Sequence, residues 1–525
     1  MNGAQALINT LVDGGVDVCF ANPGTSEMHF VAALDTVPAM RGVLALFEGV
    51  ATGAADGYAR MAGKPAAVLL HLGPGLGNGL ANLHNARRAG TPVVNVVGDH
   101  ALYHKQYDAP LESDIDALAG AVSGWVRRTQ RVEDVAADTR AAIAAASGPP
   151  GQVATLILPA DVSWTSGAPN VANSHAEQGV ARADVSEAVA AAAKALRSGD
   201  PGVLLIGGEA TREPGLSAAA RIAEATGAKL LCETFPTRLE RGAGVPVVGR
   251  LGYLAEMATY QLGGAKHLVL AGAKSPVTFF AYPGKPSDLV PDGCQVHTLA
   301  GQSGPATDAL IALADEVAPG TTAPLAPLNR PAAPTGALTA ETAAAAIGAL
   351  LPEHAIVVDE SVTSSFFLPA ATEGAPRHDW LTLTGGAIGY GLPAATGAAV
   401  AAPDRPVWCL QADGSAMYTI SALWTHARES LDITTVIYNN SAYAILRMEL
   451  ERVGAETPGA SNGPGPKASK LLDIGSPNLD FVAIATGMGV SATRATTAEE
   501  LTAALARARS EPGPHLIDAV LTPMG

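Results

Sequence analysis

Short apolar runs recur along the 525-residue chain, and a stretch of helical length follows most of them. In the first third they stand at residues 16–20, 43–47, 66–70 and 92–97, with helical spacing over 3–14, 50–62 and 77–88. Runs this short and this uniformly apolar read as strands buried on both faces. Strands that alternate with helices build βαβ units around a parallel sheet. The pattern returns at 203–206, 229–232, 267–271 and 295–299, and again at 355–359, 406–411, 433–438 and 515–520. The expected fold class is therefore α/β, with three doubly wound parallel-sheet domains at 1–165, 186–320 and 338–525. The stretch 166–174 is polar and loop-like. Residues 321–337 read as a stiff exposed linker, because TTAPLAPLNRPAAP carries four prolines and one charge.

Composition narrows the partners. The net charge is −16 and the pI about 5.2, with no Lys/Arg stripe, which argues against nucleic acid and anionic membranes. The first thirteen residues lack the basic start and apolar core of a signal peptide. The uncharged run 385–402 nears the length of a membrane span, but its five glycines and one proline read as a buried loop and helix. Cys19, Cys232, Cys294 and Cys409 lie far apart without a CxxC pair, so neither a disulfide framework nor a zinc site is expected. A reduced, cytoplasmic location follows as an expectation.

Chemistry gathers where the first four strands end. The runs lead into Asn22-Pro23-Gly24-Thr25-Ser26-Glu27, into Glu48, into a loop His71-Leu72-Gly73-Pro74-Gly75, and into Gly98-Asp99-His100. Ligands of open α/β sheets bind at the carboxyl ends of strands.

The third block carries the sharpest signal. The run 406–411 leads into Ala412-Asp413-Gly414-Ser415, and 433–438 leads into Asn439-Asn440-Ser441-Ala442. A βαβ unit would set Asp413 and Asn440 side by side. Their oxygens, with a nearby backbone carbonyl, suit Mg²⁺, or Ca²⁺, bound to a diphosphate. Gly414 allows close backbone approach to phosphate, and the helix that follows favours an anion. Residues 454–476 are Gly/Pro/Ser/Lys-rich and aperiodic, which reads as a mobile loop near this site.

This arrangement resembles the thiamine-diphosphate motif GDG…NN, with Ala412 where the family usually has glycine. Glu48, followed by a small-residue helix that ends in Gly57-Tyr58-Ala59-Arg60, resembles a second segment of the same enzymes. The chain as a whole is similar to the acetolactate synthase and benzoylformate decarboxylase type. The opening NPG-Thr25-Ser26-Glu27, the His71 loop and the stretch 413–424 resemble benzoylformate decarboxylase, whereas Gly73-Pro74-Gly75 resembles acetolactate synthase.

The resemblance implies roles. The three domains become pyrimidine-binding, middle Rossmann-like and diphosphate-binding. Glu48 would hydrogen-bond the cofactor's aminopyrimidine and so help remove the thiazolium C2 proton. A 2-oxo acid would then lose CO₂ and leave an enamine, for which the cofactor is the electron sink. Ile388 would prop the bent cofactor, and the Gly386 carbonyl would receive its amino group. Thr363, Ser364, Gly414, Ser415, Ala442, Ala444 and Ile445 would contact the diphosphate or its metal. His71 would transfer protons, as a near-neutral titration permits. Thr25 and Ser26 would bind substrate carboxylate, and His104, with His100, lies where pyruvate decarboxylases place a histidine pair. The family also implies a homodimer or homotetramer with the site at the subunit interface.

Two departures shape the expected reaction. Residues 278–282 lack the second histidine that benzoylformate decarboxylase carries in its middle domain, so a long-lived enamine would attack an aldehyde or second oxo acid. That makes carboligation the expected outcome, with plain decarboxylation to an aldehyde as the alternative. The middle block also lacks the arginine-rich FAD segment of true acetolactate synthases. Gly207-Gly208 is not a GxGxxG, and Gly272-Ala273-Lys274-Ser275 lacks the first glycine of a Walker loop, so a flavin site is not supported.

Overall fold

The structure is a computed structural model that describes residues 1–169, 184–453 and 465–522. Three α/β units each enclose a parallel sheet. The first sheet is built from β1 (Val18–Ala21), β2 (Arg41–Leu44), β3 (Ala66–His71), β4 (Val93–Asp99), β5 (Trp125–Arg128) and β6 (Val153–Pro159), ordered β2-β1-β3-β4-β6-β5. The second comprises β7 (Gly202–Ile206), β8 (Lys229–Cys232), β10 (Gly249–Arg250), β11 (His267–Ala271) and β12 (Gln295–Ala300), ordered β10-β8-β7-β11-β12. The third runs β17-β18-β16-β15-β13-β14-β9. Its members are β9 (Leu239–Arg241), β13 (Ile356–Glu360), β14 (His378–Thr382), β15 (Val407–Ala412), β16 (Ile433–Asn439), β17 (Ser491–Ala495) and β18 (His515–Val520). Central strands such as β4, β6 and β16 are buried along their whole length, as helices on both faces require.

Several elements depart from the sequence reading. The helix expected from residue 77 begins at Leu72, so Gly73-Pro74-Gly75 forms a first helical turn and not a loop. Proline fits an opening turn because its missing N–H would have no partner there. Within the aperiodic stretch, 454–464 lie outside the described residues, but Pro466–Leu471 is a helix. β14 carries polar residues that hide it from an apolar-run reading. His378 Nδ1 bonds the Pro376 carbonyl at 2.8 Å, and Asp379 pairs with Arg238 and Arg405 at 2.6 Å each. β9 crosses from the middle block and pairs antiparallel with β14, so the third sheet borrows a strand. Of the stretch 166–174, residues 170–174 lie outside the described residues. Among the described residues no helix is long and apolar enough to cross a membrane.

The first and third units meet through two helices. Glu48–Ala62 packs on Gly391–Ala401 at backbone distance. A Cβ on Gly57 would lie 2.1 Å from the Ala394 carbonyl oxygen, and one on Gly397 would lie 1.8 Å from that of Ala54. The small-residue run after Glu48 is thus a docking face. Arg60 locks it. Its guanidinium pairs with Asp56 at 2.6 Å, both side chains being fully buried. It also donates to the Thr382 carbonyl (2.8 Å), to Thr384 Oγ1 (2.9 Å) and to the Thr237 carbonyl (3.2 Å), and it lies 4.7 Å from the Tyr390 ring centroid. One side chain therefore ties residues of all three blocks.

Candidate active site

Two clusters stand at the carboxyl ends of the first and third sheets. In the first, β1 ends at Ala21 and the chain turns into a 3₁₀ turn, Thr25–Glu27. β3 lies beside β1 and ends at His71, which brings residues 44 positions apart into contact. Glu27 Oε2 accepts from the Gly24 N–H at 2.8 Å, and Oε1 accepts from Ser26 Oγ at 2.7 Å. His71 Nδ1 is 2.9 Å from Glu27 Oε2 and 3.0 Å from Ser26 Oγ. Thr25 is exposed. Glu48 is buried as the first residue of its helix, where the dipole favours a carboxylate. Its Oε2 accepts from Asn78 Nδ2 at 3.0 Å. The end of β4 adds His100 and His104, whose ring centroids are 5.4 Å apart. Burial pushes the His100 imidazole below its usual titration range. Glu112 opposes that shift, and the neighbouring His104, Lys105 and His71 reinforce it.

The third unit supplies a different construction. Asp413 opens a short helix directly after β15, and its carboxylate is buried. Oδ1 accepts from the Gly414 N–H (2.7 Å), and Oδ2 accepts from the N–H groups of Asn440 (3.0 Å) and Ser441 (2.7 Å). β15 and β16 are neighbours in register, so the two strand ends close on one another as expected. Burial raises the Asp413 carboxyl, and the three backbone N–H groups partly offset that rise. Asn440 Oδ1 accepts from the Ala442 N–H at 3.0 Å. Ser415 Oγ accepts from Gln411 Nε2 at 2.5 Å. Ala444 and Ile445 begin the helix Ala444–Arg452. Thr363 and Ser364 lie in the 3₁₀ turn Val362–Phe367 after β13.

The segment 384–391 is clamped from both sides. From the first unit, Asn85 bonds Ala387 twice, through its N–H (3.2 Å) and its carbonyl (2.8 Å). His84 Nε2 reaches the Gly385 carbonyl at 3.1 Å, and Asn82 Nδ2 donates to that of Gly389 at 3.1 Å. From below, the buried Glu360 carboxylate accepts from the Gly389 and Gly391 N–H groups at 2.7 and 2.6 Å. Burial raises the Glu360 carboxyl, against the pull of these donors and of Gln411. Gly386, at φ 73°, is the exposed residue of this segment, and among the described residues its carbonyl accepts no hydrogen bond. Ile388 packs half-buried against the core.

Three of the six non-glycine residues at positive φ among the described residues lie at these strand ends. Leu72, Val362 and Ser441 hold left-handed conformations at φ 48°, 50° and 56°. For a β-branched residue such as Val362 this is costly, on the order of 1–3 kcal/mol. Among the described residues no hydrogen bond or ion pair joins Glu48 or His71 to Asp413 or Asn440. Glu27, Asn78, Asn82, Asn85, Glu360 and Gln411 were not singled out from the sequence. Only Glu27 carried a signal there, as the carboxylate that closes the NPG-Thr25-Ser26-Glu27 motif.

Residues 1–119 match the model of the N-terminal TPP binding domain of thiamine pyrophosphate enzymes, and 368–519 match that of the C-terminal TPP binding domain. A Mycobacterium tuberculosis protein named "Putative acetolactate synthase large subunit IlvX" is 71% identical over 522 residues, which cover 99% of each chain. The chain belongs to the thiamine pyrophosphate enzymes. Within that family, benzoylformate decarboxylase of Pseudomonas aeruginosa is 32% identical over 96% of each chain. The solved structure of the thiamine diphosphate-dependent 4-hydroxybenzoylformate decarboxylase of Rhodococcus jostii RHA1 matches 99% of each chain with a TM-score of 0.84 and 26% identity. A thiamine pyrophosphate enzyme of either the acetolactate synthase or the decarboxylase type fits these relatives.

Proposed function

We propose that this enzyme uses thiamine diphosphate and Mg²⁺ to decarboxylate a 2-oxo acid and to ligate the remaining acyl unit to an aldehyde or a second oxo acid, as an acetolactate synthase-like, acyloin-forming enzyme. The donor set fits a hydrated divalent ion with diphosphate. Asp413, Asn440 Oδ1 and the Ala442 carbonyl are hard oxygens. Among the described residues no group of three or more His, Cys, Asp or Glu could hold a metal by itself, so phosphate oxygens would complete the shell. When bound, the cofactor supplies the electron sink for loss of CO₂. Glu48 would hold a proton against its aminopyrimidine, with Asn78 fixing the carboxylate. The unclaimed Gly386 carbonyl would accept its amino group, and Ile388 would fill the space beneath its rings. Thr363, Ser364, Ser415, Ala444 and Ile445 would line the diphosphate.

The observation that favours ligation over aldehyde release is the stretch 278–282. It presents exposed Phe279 and Phe280 and no imidazole, and the Tyr282 hydroxyl is committed to Glu449 Oε2 at 3.0 Å. Among the described residues this stretch therefore offers no imidazole to protonate an enamine. The second reading, a decarboxylase of the benzoylformate decarboxylase type, is favoured by His71 and by the decarboxylases among the relatives. Product analysis decides between them. With pyruvate as sole substrate, acetolactate or acetoin supports ligation, whereas acetaldehyde with matching CO₂ supports release. A panel of 2-oxo acids with and without aldehyde acceptors extends the test to donor and acceptor.

We also infer a homodimer or homotetramer in which Glu48 of one copy faces Asp413 of another. The lack of a hydrogen bond or ion pair between the two clusters among the described residues supports this, as do exposed Leu46, Tyr103 and Tyr107 beside the first and Met417 and Tyr418 beside the second. Four free cysteines, three of them buried, fit a reduced cytoplasm.

A further inference from the structure

We propose that Glu27 is a positioning residue that holds the proton of His71 on Nδ1 and thereby assigns proton transfer to Nε2; this rests on reading His71 as the proton-transfer group. Donors and acceptors around His71 decide its tautomer. An ionised carboxylate only accepts. Ser26 Oγ spends its single hydrogen on Glu27 Oε1 at 2.7 Å, so toward His71 it is an acceptor as well. His71 Nδ1 faces both, at 2.9 Å from Glu27 Oε2 and 3.0 Å from Ser26 Oγ. A ring nitrogen between two acceptors must carry the hydrogen. The lone pair of the neutral ring is then on Nε2, which takes a proton to give the imidazolium and returns it from the same atom. The positive charge formed in between lies against the Glu27 carboxylate, whose side chain is 1% exposed.

The surroundings are shaped for this pair. A Cβ on Gly98 would lie 1.8 Å from Glu27 Oε1, and one on Gly24 would lie 2.2 Å from His71 Cγ. The Gly24 N–H fixes Oε2 from the backbone side at 2.8 Å. Three strand ends thus converge on one carboxylate. Under this proposal Ser26 supports Glu27 through its hydrogen, beside the substrate-carboxylate role expected for it from the sequence.

The test uses holoenzyme and the isosteric Glu27→Gln, with Glu27→Asp as the conservative partner. ¹⁵N spectra of histidine-labelled protein, with His71 assigned by its loss in His71→Gln, report the tautomer without needing any substrate. Expected are an Nδ1–H tautomer in the wild type, a mixture of tautomers in Glu27→Gln, and recovery in Glu27→Asp. Turnover in Glu27→Gln should fall about 100-fold with KM little changed, because proton transfer is slowed and binding is not. Thiazolium C2 proton exchange, which depends on Glu48, should stay at the wild-type rate. An Nε2–H tautomer in the wild type, or wild-type turnover in Glu27→Gln, overturns the proposal. Loss of C2 exchange in neither Glu27→Gln nor Glu48→Gln would instead strike the assignment of Glu48 and leave the tautomer result standing.

Discussion

The two clusters solve different problems with different materials. Around His71 the contacts run mainly from side chain to side chain: Glu27 to His71, Ser26 to both, Asn78 to Glu48. Around Asp413 they run from backbone to one side chain, three N–H groups closing on a single carboxylate. Side chains that titrate and reorient suit the movement of protons. Backbone donors fixed by two paired strands suit the holding of ions in one place. The helix pair Glu48–Ala62 and Gly391–Ala401, with Arg60 through it, keeps the first and third units in register.

Substitutions at the helix joint or in either cluster separate the two constructions. Arg60→Ala removes the joint. It strands the fully buried Asp56 charge, and a loss of about 3–5 kcal/mol in unfolding free energy is expected from denaturant titration. A loss under about 1 kcal/mol would mean that helix packing alone joins the units.

The second test concerns pH and the third unit alone. His426 lies beneath the helix Gly391–Ala401, its Nε2 2.9 Å from Thr396 Oγ1, and burial pushes it down to about 4. A histidine depressed in the folded state contributes stability that is complete above its unfolded value near 6.5 and is lost as pH falls toward 4. His426→Asn should therefore flatten the stability curve between these limits by up to about 3 kcal/mol relative to wild type. Parallel curves would show that acid acts elsewhere.

At the second cluster, Asp413→Asn keeps the shape but in either orientation turns its N–H₂ toward backbone N–H that needs an acceptor. Mg²⁺-dependent binding of thiamine diphosphate, read by calorimetry, should weaken about 100-fold, with the His71 tautomer unchanged. At the first cluster, Asn78→Ala removes the donor to the Glu48 carboxylate. Turnover should fall about 10-fold while cofactor affinity holds, since a hydrogen bond to a charged group is worth roughly 1.5–3 kcal/mol. If both variants changed affinity and turnover alike, the division between the halves would fail.

Legibility followed the same division. Asp413, Gly414 and Asn440 could be read because each follows a strand at once, and the register of β15 on β16 brings strand ends together without help from elsewhere. The apolar runs gave most strands of the three sheets for the same local reason. Glu27 and Asn78 could not be assigned, because a partner 44 or 30 residues away is set by neighbouring strands and helices and leaves no mark on local spacing. Glu360 was passed over at the end of a strand whose apolar run ends before it; its donors come from a turn 29 to 31 residues later. The helix from Leu72 starts earlier than local spacing predicts, because Gly73-Pro74-Gly75 looks like punctuation although a first helical turn tolerates it. β14 escaped because its His378 and Asp379 are paid for by tertiary partners.

The proposed chemistry requires Glu48 to act on a thiamine cofactor held at Asp413 and Asn440. Proton–deuterium exchange at thiazolium C2, followed by quenched-flow NMR on the Mg²⁺-loaded holoenzyme, tests it most directly. Wild type should exchange rapidly, and Glu48→Gln should retain bound cofactor yet exchange no faster than the free coenzyme. Rapid exchange in Glu48→Gln with cofactor fully bound would contradict the account.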